Sequence, residues 1–372
     1  MTGGDLAMWE YARYLAAQGH EVECAVSSFS DAPPVAVKDG IRVVRLGRLH
    51  LLWWHSCRHY FRTARGRVDL VVTEGFGGSR IPRLCPLYVR EPVITEWHQI
   101  HRELFAVQYP RLVQPFLNGL ERVAAFVHRD TLLRAGTDDW ARRFPDIGFR
   151  PERIVTVPVS IPESWLGKEP EPLAARDHRI VWLGKLRRYK CPDHVIRALP
   201  AVLAHVPDAE LVIALRRDDL RYEEELRRTA KRLGVSDHVT FLVNIGDEAK
   251  QQLLARCRAM VVPSSVEGFG IVVLEANACG TPVVASSGVP DGSVRHGSTG
   301  LKHAFGDIDS IARLLTVLLT DDTLWNRLSR NAVDFASSFS WAACGARFEA
   351  VALAAAWRWP AASLETAAAA EA

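Results

Sequence analysis

Residues 262–286, VPSSVEGFGIVVLEANACGTPVVAS, hold two glutamates eight positions apart, Glu267 and Glu275, around the turn Gly268-Phe269-Gly270. An apolar run precedes the turn, and a helical pattern begins at Ile271. A glycine-rich turn that opens a helix aims backbone N–H groups and the positive end of the helix dipole at one spot, which suits phosphate. Carboxylates framing that spot can accept hydrogen bonds from hydroxyl groups. A ligand with sugar hydroxyls at both ends of a diphosphate fits this pattern: a nucleotide-sugar. A second signal lies upstream in WLGKLRRYKCPDHVIRAL, where Lys185 and Lys190 follow Gly184 on a loop between a strand and a helix. Two ammonium groups at the carboxyl end of a parallel strand can neutralise a diphosphate. EGFG occurs a second time at residues 74–77, but Pro82 stands where the second carboxylate would fall.

Other chemistries lack their residues. Gly75-Phe76-Gly77 and Gly268-Phe269-Gly270 both miss the third glycine of Gly-x-Gly-x-x-Gly, which argues against a dinucleotide oxidoreductase. Lys185 is followed by Leu186 rather than Ser or Thr, so there is no Walker lysine. Neither a Gly-x-Ser-x-Gly elbow nor a His-Glu-x-x-His helix is present. His98 and His101 are spaced as a metal pair, but no third ligand lies nearby and no metal site is expected. Asp307-Ile308-Asp309 has the Asp-x-Asp form of metal-dependent sugar transferases, yet it directly precedes the apolar run SIARLLTVLL. Carboxylates there cap a helix and favour its N-terminus. No cofactor is called for.

These residues need a framework, and the chain supplies one. Apolar β-rich runs at 22–26, 41–45, 69–73, 93–95, 154–157, 180–183, 210–214, 238–242, 259–262 and 282–285 predict strands. Helical patterns at 8–18, 191–205, 223–233, 248–257 and 310–320 separate many of them, the signature of parallel α/β sheets. Pro158, Pro162, Pro170 and Pro172 crowd one stretch without periodicity, which predicts a linker. With 372 residues, 48% of them hydrophobic, the chain can fill two cores of about 150 residues each. We therefore expect an N-terminal domain over 1–165, a C-terminal domain over 166–340, a returning helix over 341–362 and a disordered tail over 363–372.

The opening departs from that pattern. Gly3-Gly4, a helix and GHEVECAV correspond to the glycine turn, first helix and second strand of a doubly wound domain. Only Met1 and Thr2 precede the turn, so the first strand has no residues to form it, and we expect a coding start placed too late.

Composition excludes several classes. A net charge of +3 is too balanced for coating nucleic acid. Seven scattered cysteines without a Cys-x-x-Cys pair suit free thiols in a reducing compartment. The N-terminus lacks a basic region followed by an apolar run, and no apolar stretch approaches the roughly 20 residues of a spanning helix. A cytoplasmic protein, at most peripheral on the membrane face, is expected.

In these motifs the chain resembles the retaining glycosyltransferases of family 4, with their GT-B fold of two Rossmann-like domains facing a cleft. The resemblance is specific in GKLRRYK, in the E-x7-E element Glu267–Glu275, in GTPVVAS and in Phe339-Ser340-Trp341. It is looser in the Gly3-Gly4 loop, LAAQGHEV and the WHQIH stretch around His98. It implies that Glu275 holds the ribose hydroxyls and Glu267 those of the transferred sugar. Lys185, where the family usually has Arg, and Lys190 would stabilise the departing diphosphate, assisted by Gly184 and by backbone amides at Phe269, Gly270 and Ile271. Gly3, Gly4 and His98 would lie on the acceptor side. Transfer in the family retains anomeric configuration without a metal. The acceptor implied is a glycan, a lipid-linked sugar or a small molecule.

Two rival readings remain. A sugar phosphorylase of the same fold lacks a lysine placed for a covalent pyridoxal group. The other is an inactive nucleotide-sugar binding or partner subunit. Residues 49–67, LHLLWWHSCRHYFRTARGR, predict an interfacial helix, with Trp53, Trp54, Cys57 and Phe61 on one face and Arg58, Arg62 and Arg65 beside it. Trp341, Trp357 and Trp359 are expected to be packing anchors of the returning helix.

Overall fold

A computed structural model describes residues 3–29, 32–76 and 82–357. The chain divides into two units: 1–100, 113–160 and 340–372 form one, and 101–112 with 161–339 the other.

The first unit opens with α1 (Gly3–Ala17), followed by β1 (Glu23–Val26), β2 (Val35–Lys38) and β3 (Ile41–Arg45). Asp39 and Gly40, with φ of +52° and +78°, turn β2 back into β3. An Asp-Gly pair with both φ positive is the turn that matches the twist of two paired strands. β3 is central, parallel to β1 and antiparallel to β2. α2 (Leu52–His59) continues through a π-helical turn over Tyr60–Ala64. Then come β4 (Val71–Glu74), β5 (Val93–Glu96), α3 (Arg102–Gln108), α4 (Gln114–His128), β6 (Leu132–Ala135), α5 (Asp138–Arg143) and β7 (Ile154–Thr156). Of these α3 belongs to the second unit. β4 to β7 form a second, all-parallel sheet in chain order, so the described residues of this unit make two sheets.

The second unit comprises β8 (Asp177–Lys185), α6 (Pro192–Leu203), β9 (Glu210–Arg216), α7 (Leu220–Arg232), β10 (Val239–Val243), α8 (Asp247–Arg256), β11 (Cys257–Val262), α9 (Ile271–Ala278), β12 (Val283–Ser286), β13 (Gly300–His303), α10 (Ile308–Thr320) and α11 (Asp322–Ser337). Its six strands are parallel in the order β10-β9-β8-β11-β12-β13. Their apolar runs do not alternate because helices cover both faces of such a sheet. Ile180, Ile213 and Val261 pack with Ile196, Leu199, Leu226 and Leu315 in one buried cluster. The order reverses between β8 and β11, and a reversal of this kind opens a crevice at the strands' carboxyl ends. Asp307 accepts from the Ser310 N–H at 2.9 Å, so the Asp-x-Asp stretch is a helix cap, as its place before an apolar helix predicts.

The last helix, α12 (Trp341–Ala356), belongs to the first unit and packs on α1. Tyr11 stacks on Phe348 at 4.5 Å and meets Trp341 edge-on at 5.8 Å. Trp341 is therefore an anchor, but Trp357 is not: it is 73% exposed. Gly77, Trp359, the end of the expected 341–362 helix and the 363–372 tail lie outside the described residues. Beneath α1, the buried Arg134 of β6 pairs with Glu96 of β5 at 3.0 Å and donates to the Tyr11 hydroxyl at 2.6 Å. Tyr11 in turn donates to the Pro158 carbonyl at 2.5 Å.

β2, β6 and β13 are strands that the apolar patterns do not predict. β6 hides a buried arginine within Leu-Leu-Arg-Ala, and β13 begins at a glycine that must approach the Val283 carbonyl.

Candidate functional site

The residues singled out in the second unit gather at its strand-order reversal. β8 ends at Lys185, and its neighbour β11 ends at Val262, from which a loop leads to α9. Backbone bonds tie the loop after β11 to the loop after β8 and to the loop after β12 (Val283–Ser286). Ser265 N–H donates to the Tyr189 carbonyl at 2.8 Å, and Glu267 N–H to the Gly288 carbonyl at 2.9 Å. A Cβ at Gly288 would run into the Ser265 carbonyl, so only glycine allows this approach. Gly270, at φ +80°, takes the left-handed conformation that starts α9, a helix with no side-chain cap. Its first turn, from Ile271, therefore presents N–H groups that no side chain caps. Gly268 and Ile271 are half-buried. The buried Phe269 has its carbonyl held by the Ser293 hydroxyl.

Glu267 and Lys190 form a buried ion pair, with Nζ 2.6 Å from Oε1 and side chains 15% and 9% exposed for lysine and glutamate. Ser264 Oγ donates to the same oxygen at 2.7 Å. Burial by itself would lower the Lys190 ammonium, but the Glu267 carboxylate outweighs it and holds Lys190 above the ordinary lysine range. Gly184 lies beside this lysine, a Cβ there falling in ordinary contact with Lys190 Cδ at 3.4 Å. Lys185 is not part of the pair. It points toward Asp218 at 3.6 Å, which Arg187 also engages at 2.5 Å.

Glu275, on α9, is buried and meets a residue that sequence patterns did not flag: Lys250 of α8, with Nζ 2.6 Å from Oε1. Burial pushes the Glu275 carboxyl up, and the Lys250 contact pulls it partly back. Its second oxygen, Oε2, is buried without a hydrogen-bond partner. Asp218 and Lys250 had no signal because their partners, Lys185 with Arg187 and Glu275, lie on other loops and helices distant in sequence, whereas Ser264 lies only three residues from Glu267.

In the first unit, a Cβ at Gly4 would strike the His98 imidazole, so the start of α1 lies directly against the residues after β5. His98 Nε2 is 3.9 Å from Glu74 Oε1, and Arg83 is 3.6 Å from the other oxygen. Gly3 is exposed. Gly4 and His98 are thus brought together, while the glutamates and lysines belong to the other unit. Cys191, Asp193 and His194 bring donor atoms within 4.8 Å of one another. There Asp193 already accepts from Tyr222 at 2.7 Å and pairs with Arg197 at 3.0 Å.

Along 49–67, Leu49, Trp53, Trp54, Phe61, Arg58, Arg62, Arg65 and Arg67 are exposed, and Cys57 is half-buried. α4 exposes a second apolar face through Phe116, Val123 and Phe126, which the sequence reading did not single out. No helix among the described residues is long and apolar enough to cross a membrane.

The profile of the family described as "Glycosyl transferases group 1" matches residues 165–335, and that of "Glycosyl transferase 4-like domain" matches 2–160. A D-inositol 3-phosphate glycosyltransferase of Actinosynnema mirum is 36% identical over 184 residues, 47% of this chain. The matched stretch spans 43% of that relative, less than half its length. Sucrose-phosphate synthase from Thermosynechococcus elongatus superposes with a TM-score of 0.78 at 19% identity, covering 94% of this chain and 92% of that one. HepE of Anabaena, solved with UDP and glucose, gives 0.74 at 18% identity, covering 94% and 95%. At such identities the likeness establishes a shared fold.

Proposed function

Because the chain belongs to the group 1 glycosyltransferases and has their GT-B fold, we propose that it transfers a sugar from a nucleotide-diphosphate donor to a glycan, a lipid-linked or a small-molecule acceptor. The single observation that carries this reading is the Lys190–Glu267 pair at the strand-order reversal, with Glu275 eight residues on and one of its oxygens unpartnered. Glu275 holds the ribose and Glu267 the transferred sugar. Lys190 and the amides of Phe269, Gly270 and Ile271 face the diphosphate, Lys185 lies beside them with its ammonium toward Asp218 at 3.6 Å, and Gly3, Gly4 and His98 serve the acceptor. The acceptor oxygen bonds to the anomeric carbon from the face the diphosphate leaves, so configuration is retained. The bond to the diphosphate breaks, and the acceptor's proton passes to the departing phosphate oxygen. Charge grows on that oxygen, and fixed cations there lower the barrier without a metal.

A thermal-shift panel of nucleotide diphosphates and nucleotide-sugars tests the donor site. A ligand at about 100 times its Kd stabilises by roughly 2.7 kcal/mol. We expect one nucleotide to give that shift and Glu275→Ala to abolish it. Absence of any shift in well-folded protein would leave a partner or scaffold role as the better reading.

The seven free cysteines support placing the protein in the cytoplasm, and the exposed tryptophans and arginines of 49–67 support a peripheral contact with anionic membrane. Each basic residue near such a surface contributes about 1 kcal/mol. The double variant Arg58→Gln with Arg62→Gln is therefore expected to weaken liposome co-sedimentation about thirtyfold at low salt. Unchanged partitioning would remove the membrane contact from this proposal.

A further inference from the structure

Lys250 is a lysine with little solvent and an unusual set of neighbours. Its side chain is 18% exposed, its ammonium lies 2.6 Å from Glu275 and 3.0 Å from Asp247, and it sits over the Trp165 ring at 4.9 Å. A lysine so withdrawn from water needs a paired anion to stay charged. Glu275 supplies it through Oε1, while Oε2 is left buried with no partner. A buried carboxylate oxygen in that state calls for a donor.

We propose that Lys250 is a positioning residue for the donor: by clamping Oε1 it turns Oε2 toward one ribose hydroxyl and keeps the carboxylate ionised, which makes nucleotide affinity depend on pH. This rests on the reading of Glu275 as the ribose-holding group. The groups facing Glu275 are few. Lys250 and Asp247 approach it from α8, and the Cys279 thiol, on the residue that closes α9, is neutral because burial pushes it up to about 12. Of the influences on Glu275, burial and Asp247 raise its pKa and Lys250 lowers it. Removing Lys250 leaves the raising influences alone, so the carboxyl takes up its proton at a higher pH than in the wild type. A neutral carboxyl is a weaker acceptor than a carboxylate. Affinity then falls as pH falls, and the fall begins at higher pH in the variant.

The test is calorimetric titration of the full chain with UDP, GDP and ADP, and with the 2′,3′-dideoxy form of whichever binds, from acid to neutral pH. Lys250→Met is expected to weaken the ribonucleotide about ten- to a hundredfold, the range for a charge-assisted hydrogen bond. The loss grows toward acid pH, and Lys250→Arg recovers most of it. The dideoxy analogue, having no hydroxyl for Glu275, should bind wild type and variant alike. Equal ribonucleotide affinity in Lys250→Met, or an equal loss with the dideoxy analogue, overturns the proposal while the donor site stands. Wild type that binds none of the three diphosphates removes the donor-site reading and this one with it. Lys250→Gln, which keeps a donor without a charge, serves if Lys250→Met is poorly folded, with the same outcomes.

Discussion

Lys190→Ala is expected to lower the turnover of sugar transfer by about a hundred- to a thousandfold, the scale for losing one fixed group that stabilises developing charge. The reason is the place of this ammonium. It stands 2.6 Å from Glu267 in a pocket that leaves it little water, so its field is barely screened. Removing it strips Glu267 of its counter-ion and, in the proposed mechanism, takes away a cation from the departing diphosphate. Lys185 cannot replace it, because its own ammonium is turned toward Asp218. Single-turnover release of nucleotide diphosphate from the donor found by thermal shift is the measurement, with a melting curve beside it to separate catalysis from fold. Lys190→Arg should retain part of the rate, since it keeps the charge but not the compact ammonium geometry. A Lys190→Ala protein that melts normally and turns over at the wild-type rate would refute the role.

The second large effect is on stability. Arg134→Met is expected to destabilise the first unit by about 3–5 kcal/mol, because it leaves Glu96 buried without its ion-pair partner. Glu96 is 0% exposed and its Oε1 already lacks a hydrogen-bond partner, so water cannot compensate. The same substitution removes the donor to the Tyr11 hydroxyl and so unties α1 from β6, leaving Tyr11 only its bond to the Pro158 carbonyl. For a unit of this size the loss corresponds to a fall in Tm of roughly 10 °C. Arg134→Met combined with Glu96→Leu should recover much of it, since an apolar pair replaces both buried charges at once. A single variant melting within about 2 °C of wild type would show that the pair carries little of the stability.

The architecture was largely legible in advance because its signals are local. The apolar runs that became β8 to β12 do not alternate, and buried parallel strands have no reason to. The Asp39-Gly40 turn was an equally local hairpin signal, and reading it would have placed β2. β6 escaped because its arginine looks like an exposed residue until Glu96 and Tyr11 are seen around it. The exposed face of α4 has the helical spacing of a core face, and spacing alone cannot tell which side is covered.

For the site, residue types and spacing by themselves singled out Glu267, Glu275, the glycine turn and the two lysines, because the turn, the helix it opens and its flanking carboxylates occupy one short stretch of chain and the lysines a second. Only the tertiary structure decided how they are shared out. Lys190 goes to Glu267, Lys185 to Asp218, and Lys250, invisible in the sequence, to Glu275. The physical reason is that an ion pair depends on distance in space and on exclusion of water. Both are set by how loops from separate strands, and helices packed beside them, come together across the sheet.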